Sequence, residues 1–197
     1  VLLAAISAVL ALTWAVQTTW LDRTLERRSI DDLQRSNRQA VDMIEAYADV
    51  LEHSAQMLAG QFYETFPRDV RLDPEGATSI GGTTLPLLRS GALVLSENLA
   101  LVDRFTAATA AVCTLFVKHG DDFFRVATSL KKENGDRAQG TRLGMQHPGY
   151  ALLMAGKPYT GPAVLFGRNY MTSYRPLLTA SGEVIGVSFI GVDFTEG

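Results

Sequence analysis

Hydrophobic and polar positions change their pattern three times along the chain. Residues 1–20, VLLAAISAVLALTWAVQTTW, carry no charged side chain, and the first charge is Asp22. A helix of about twenty residues at 1.5 Å per residue spans the roughly 30 Å hydrocarbon core of a bilayer. The segment 1–20 is therefore expected to be a transmembrane helix, with Trp14 and Trp20 near one interface, where indole rings prefer to lie. A cleaved signal peptide would instead show a small-residue cleavage site. Here Gln17, Thr18, Thr19 and Trp20 run straight into the next pattern.

Over residues 21–66 apolar residues recur at Leu25, Ile30, Leu33, Val41, Ile44, Tyr47, Leu51, Ala55, Leu58 and Phe62. The steps are mostly three or four, which predicts a long amphipathic helix. Such a rod would run roughly 65 Å. Asn37 interrupts the stripe, and Asp31 and Arg35 are spaced to pair along the outer face. One face can pack on the chain's own domain and another on a second copy, so a homodimer is the expected assembly.

Residues 67–91 are punctuated by Pro67, Pro74, Gly76, Gly81, Gly82, Pro86 and Gly91. They predict a winding connector with at most short strands. The last stretch, 92–197, reads as a mixed domain. ALVLSEN predicts a strand, LVDRFTAATA a short helix, and AVCTLFVK and DFFRVATSLKK a hairpin turning at His119-Gly120-Asp121. HPGYALLMAG predicts a short helix. PAVLFG, YMTSYRPLL and VIGVSFIGVDF follow as a meander with turns at Arg168-Asn169 and Ser181-Gly182. Hairpin-short connections imply an antiparallel sheet and an α+β fold, not a doubly wound parallel one.

Composition narrows the function. An apolar share of 47% with 20% charged residues suits a folded core. A net charge of −3 offers no basic field for nucleic acid. The single cysteine, Cys113, excludes an intrachain disulfide and reads as a small buried strand residue. His53, His119 and His147 are scattered and form no metal-ligand pattern, so neither metal nor cofactor is expected. No G-x-S-x-G, P-loop, H-E-x-x-H or C-x-x-C motif is present, which argues against an enzyme. Asp121 and Asp122 read as a solvated hairpin tip, and Lys131-Lys132 as a solvated strand end.

Four ordered motifs carry a resemblance. They are R-V-x-T-S-L-K-K, Y-T-G-P-A-x-L-F-G, Y-M-T-x-Y-x-P and V-I-G-V-x-F-I-G-V-D-F, within about residues 85–196. Together they resemble the Cache sensor domain of the single-Cache type-3/type-2 fusion class. The resemblance implies a PAS-like antiparallel sheet with a long N-terminal helix packed on it. It implies a receptor of the bacterial inner membrane, most often a methyl-accepting chemotaxis protein, with residues from about 21 onward in the periplasm. It also implies a small-molecule ligand, often a short organic acid, and a second transmembrane helix after Gly197.

Strand alternation suggests where a ligand would sit. Phe123, Arg125, Ala127, Ser129 and Lys131 would share one face, and Tyr170, Thr172 and Tyr174 another. A pocket between sheet and loops is expected from Arg125, Ser129, Tyr159, Tyr170, Thr172 and Tyr174. A guanidinium grips a carboxylate through two parallel bonds, and hydroxyls complete its shell. Core packing of the tyrosines, and an Arg125 pairing with Asp121 or Asp122 across the hairpin, are the competing readings. The expected function is a ligand-sensing domain of a chemoreceptor. A sensor kinase or diguanylate cyclase input domain and a ligand-free dimerisation module are the alternatives.

Overall fold

The computed structural model describes the backbone of residues 2–67 and 69–195, and the side chains of 13–14, 33–67 and 69–195. The order of elements is α1 (Leu2–Tyr63), β1 (Val70–Ile80), β2 (Thr83–Ser90), β3 (Leu93–Val94), α2 (Leu99–Thr109), β4 (Val112–His119), β5 (Asp122–Thr128), α3 (Tyr150–Met154), β6 (Tyr159–Leu165), β7 (Arg168–Leu178) and β8 (Val184–Asp193). Contacts divide the chain into two units, Val1–Ala48 and Asp49–Gly197.

The first unit is helical, and in it Leu33, Val41, Met43, Ile44 and Tyr47 are exposed. The side chains of the expected membrane span, residues 1–20, lie outside the described residues apart from Thr13 and Trp14. Among the described residues no helix is long and apolar enough to cross a membrane.

The second unit is α+β with two antiparallel sheets. Five strands order as β5-β4-β8-β7-β6, so the β4/β5 hairpin joins the β6–β8 meander through β8. A central strand buried on both faces needs a continuous apolar run, and VIGVSFIG in β8 supplies it. Three strands, β1-β2-β3, form a second sheet.

That second sheet corrects the expected connector. Residues 70–90 form a long hairpin rather than a winding segment. The proline and glycine that suggested a loop sit at an irregularity: the β1/β2 register shifts between Asp73 and Ala77, across Pro74, Glu75 and Gly76. Proline is tolerated at a bulge because no ladder bond is lost there. The expected strand at 92–98 shrinks to Leu93–Val94, because Asn98 turns the chain into α2. Its carboxamide oxygen accepts from Leu101 N at 3.1 Å and its amide donates to Val94 O. The β6/β7 turn lies at Phe166 and Gly167, both at positive φ, rather than at Arg168-Asn169, which already pair as strand.

The two faces of the five-stranded sheet are covered differently. One face carries Cys113, Leu115, Val117, Phe124, Val126 and Ile190 in the main core, together with Ala59 and Phe62 from the end of α1, Phe66 just after it, α2 and the β1/β2 hairpin. Phe62 meets the Phe105 ring at 5.0 Å. The other face carries Phe116, Phe123, Tyr174, Val187 and Phe189, with Leu153 from α3 and partly buried Leu143 and Tyr159 packed against them.

Candidate ligand-binding site

The second face is where most of the expected site residues meet. β5 places Arg125 there, opposite Phe116 of β4. Residues 138–143 run along the open edge of β5, with Arg125 N donating to Thr141 O and Leu143 N to Phe123 O. They bury the guanidinium, leaving Arg125 4% exposed. Its Nη1 donates to the Thr141 hydroxyl at 2.6 Å, and its Cζ lies 4.8 Å from the Phe116 ring centroid. Among the described residues no carboxylate forms an ion pair with it. Asp122 instead accepts from Phe123 N and Gly144 N, so the expected alternative pairing across the hairpin is absent. Arg125 Nε is buried without any hydrogen-bond partner.

Tyr174 of β7 faces the same space. It is fully buried, its ring lies 4.9 Å from Phe189 and 4.7 Å from His147, and its hydroxyl is likewise buried without a partner. Burial pushes this hydroxyl up to about 12, with the Arg125 charge opposing. Tyr159 lies 6.1 Å from Tyr174 and 5.4 Å from His147. Its ring rests on Gly149, where an added Cβ would come within 2.4 Å of its Cγ, and its hydroxyl lies over Gly161. Both glycines are required by that close approach.

The remaining expected residues separate. Thr172 shares the face of Tyr174, but its hydroxyl donates to Gly161 O at 2.6 Å. Tyr170 is buried further along the strand with Leu130 and Ala138, in a cluster apart from Tyr174. Burial, then the Asp193 charge, raise the Tyr170 hydroxyl. Ser129 faces the wrong way. The β4/β5 register pairs Leu115 with Ala127 but Phe116 with Arg125, so Val126 is an extra residue. Beyond this bulge the alternation reverses. Thr128 turns to the face of Phe116 and Arg125 and bonds Thr114 at 2.6 Å. Ser129 turns to α2, accepting from Thr106 and from Cys113 N.

His147 was not singled out by the sequence, being a lone histidine in a loop. It stands between Tyr159 and Tyr174, and its Nδ1 accepts from Gly149 N at 3.1 Å. Burial, then the Arg125 charge, lower its pKa below the usual histidine value. The H-P-G tripeptide was the available signal: a histidine two residues before a glycine can accept its N–H locally.

Two open clefts lie on the opposite, helix-covered side. One, of about 420 Å³, is lined by Glu52, Gln56, Pro158, Thr160, Ser173 and Arg175. The other, of about 350 Å³, lies among Thr65, Leu101, Arg104, Phe105 and Ala108. Neither contains Arg125, Tyr174 or His147.

The chemistry of the inner site follows from charge. A guanidinium stays protonated at any ordinary pH. Burying it without a counter-ion costs several kcal/mol, and an unpartnered buried donor adds about 1–3 kcal/mol. A small anion placed between Arg125 and Tyr174 would relieve both. The aromatic walls suit a short organic body.

No curated protein matches the chain significantly. Residues 19–197 match the Cache 3/Cache 2 fusion domain, nearly the whole chain and both of its contact-defined units in part or in full. The four motifs, the long N-terminal helix and the antiparallel sheets agree with that match, and the chain belongs to the Cache 3/Cache 2 fusion domain family, whose members are extracellular sensor domains.

Proposed function

We propose that the chain is the periplasmic sensing domain of a bacterial transmembrane chemoreceptor, and that it binds a small organic anion, such as a short carboxylate, between Arg125 and Tyr174. In this reading residues 1–20 cross the inner membrane, residues from about 21 onward lie in the periplasm, and the domain works as a homodimer paired through α1. The five-stranded order β5-β4-β8-β7-β6 corresponds to a PAS-like sheet. The observation that carries the reading is the buried Arg125, with no carboxylate partner among the described residues and an unsatisfied Nε, on the same sheet face as the unsatisfied Tyr174 hydroxyl.

The same strands supply a route for the signal. Arg125 and Phe116 lie on the ligand face, while their neighbours Phe124, Val126 and Leu115 lie in the core shared with Ala59 and Phe62 of α1. An anion that draws β5 and β7 together on one face alters packing against the helix on the other. A shift of α1 by an ångström or two is the scale on which helical switches operate. The ligand must favour one arrangement over the other for this to signal.

Calorimetric titration of the detergent-solubilised chain with acetate, propionate, pyruvate and lactate tests the reading. Binding of at least one acid, lost in Arg125→Met, supports it. No heat and no thermal shift across the panel would leave the domain a ligand-free dimerisation module. Equal binding by the variant would remove Arg125 from the site.

A further inference from the structure

We propose that His147 is the specificity-determining residue of this site: donating from Nε2 as a neutral imidazole, it adds a hydrogen bond without adding a charge, and so restricts the ligand to a single negative charge. The inference rests on the anion reading above and concerns which anions the site accepts.

The tautomer follows from the loop. Gly149 N donates to His147 Nδ1 at 3.1 Å, so Nδ1 is an acceptor and the proton of the neutral ring sits on Nε2. No group among the described residues takes that Nε2 proton. Putting a second proton on Nδ1 would set it against the Gly149 N–H and place a second cation near Arg125. Burial and the Arg125 charge both disfavour the charged ring.

Among the described residues, Arg125 is the one cation whose charge bears on both His147 and Tyr174. β7 presents Tyr174 and β6 presents Tyr159. β5 presents Arg125, and at its start Asp122, whose Oδ1 is occupied by Phe123 N and Gly144 N. α3, with the sequence YALLM, has no charged residue. Arg125 Nε–H and the Tyr174 hydroxyl are buried donors without partners, and the His147 ring packed on Tyr174 carries a third donor, Nε2–H. One carboxylate can accept all three, since its two oxygens offer about four lone-pair sites. A second carboxylate on the ligand would meet aromatic walls and no second cation, and an uncompensated buried charge is expensive.

Malonate and malonamate make the test. They are nearly the same shape, but near neutral pH malonate carries two charges and malonamate one. With the full chain in detergent, calorimetry should show malonamate binding at least about tenfold more tightly than malonate. His147→Lys, which supplies a second cation, should shrink or reverse that ratio. His147→Gln, which keeps a neutral donor, should preserve the ratio while binding both more weakly. A residue that merely held the loop would move both affinities together in every variant. Equal affinity of the two probes for the wild-type chain, or a ratio unmoved by His147→Lys in a folded protein, overturns the proposal. If short carboxylates bind and depend on Arg125 while the ratio is flat, only the role of His147 fails. If no carboxylate binds at all, the anion reading fails with it.

Discussion

Arg125→Met is the perturbation with the most informative energetics. The wild-type guanidinium keeps three contacts, the weakest a 3.5 Å bond from Nη1 to Arg142 O that contributes little. Its bond to Thr141 at 2.6 Å is charge-assisted and contributes about 1.5–3 kcal/mol. Its position 4.8 Å over Phe116 contributes about 1–2 kcal/mol. Against these stand a desolvation cost of several kcal/mol for a cation that is 4% exposed and an unsatisfied Nε costing about 1–3 kcal/mol. The Thr141 hydroxyl is not orphaned by the change, because it also donates to Ala138 O at 2.7 Å. Methionine fills a similar volume without a charge. The ligand-free variant should therefore match the wild type or exceed it by about 1–2 kcal/mol in urea denaturation. With an acid present at a hundred times its dissociation constant, the wild type should gain about 2.7 kcal/mol and the variant nothing. A loss of about 3–5 kcal/mol in the ligand-free variant would refute the reasoning, since that is the signature of breaking a compensated buried pair.

Two further perturbations probe the walls of the site. The Tyr174 hydroxyl, raised to about 12, keeps its proton in the folded chain while the unfolded chain loses it near pH 10. Stability is full below about pH 10 and should fall by roughly 2–3 kcal/mol as pH rises toward 12; Tyr174→Phe should flatten that limb in pH-dependent urea midpoints, and parallel slopes would contradict it. Gly149→Ala would drive a Cβ to within 2.4 Å of the Tyr159 ring, and should cost about 1–3 kcal/mol in thermal unfolding and weaken ligand binding; an unchanged melting temperature would contradict that packing.

Much of this architecture was legible in the chain because period and punctuation agree there. The three-and-four spacing of Leu51, Ala55, Leu58 and Phe62 gave the helical face, and of these Ala55 and Phe62 are fully buried while Leu51 and Leu58 are half-buried. The β4/β5 hairpin and the β6–β8 meander followed from β-rich runs separated by short turns. Three things were hidden for identifiable reasons. Pro74 and Gly76 read as a loop because an irregularity that tolerates them leaves no sequence signature. Ser129 was placed on the wrong face because the strict alternation from Arg125 breaks at the Val126 bulge. His147 escaped notice because its role depends on neighbours from β5, β6 and β7, and no local spacing encodes that convergence. Arg125 and Tyr174 lie on one sheet face, as strand parity along β5 and β7 suggested.

The central claim is that the unsatisfied Nε of Arg125 is the atom that waits for an anion. Arginine Nε–H correlations in a nitrogen-15 NMR spectrum of the detergent-solubilised chain test it most directly. The account predicts that one arginine Nε–H signal, absent in Arg125→Met, shifts and becomes protected from solvent exchange when a binding carboxylate is added. A carboxylate that binds in saturable fashion while the Arg125 Nε–H signal stays where it was would contradict it.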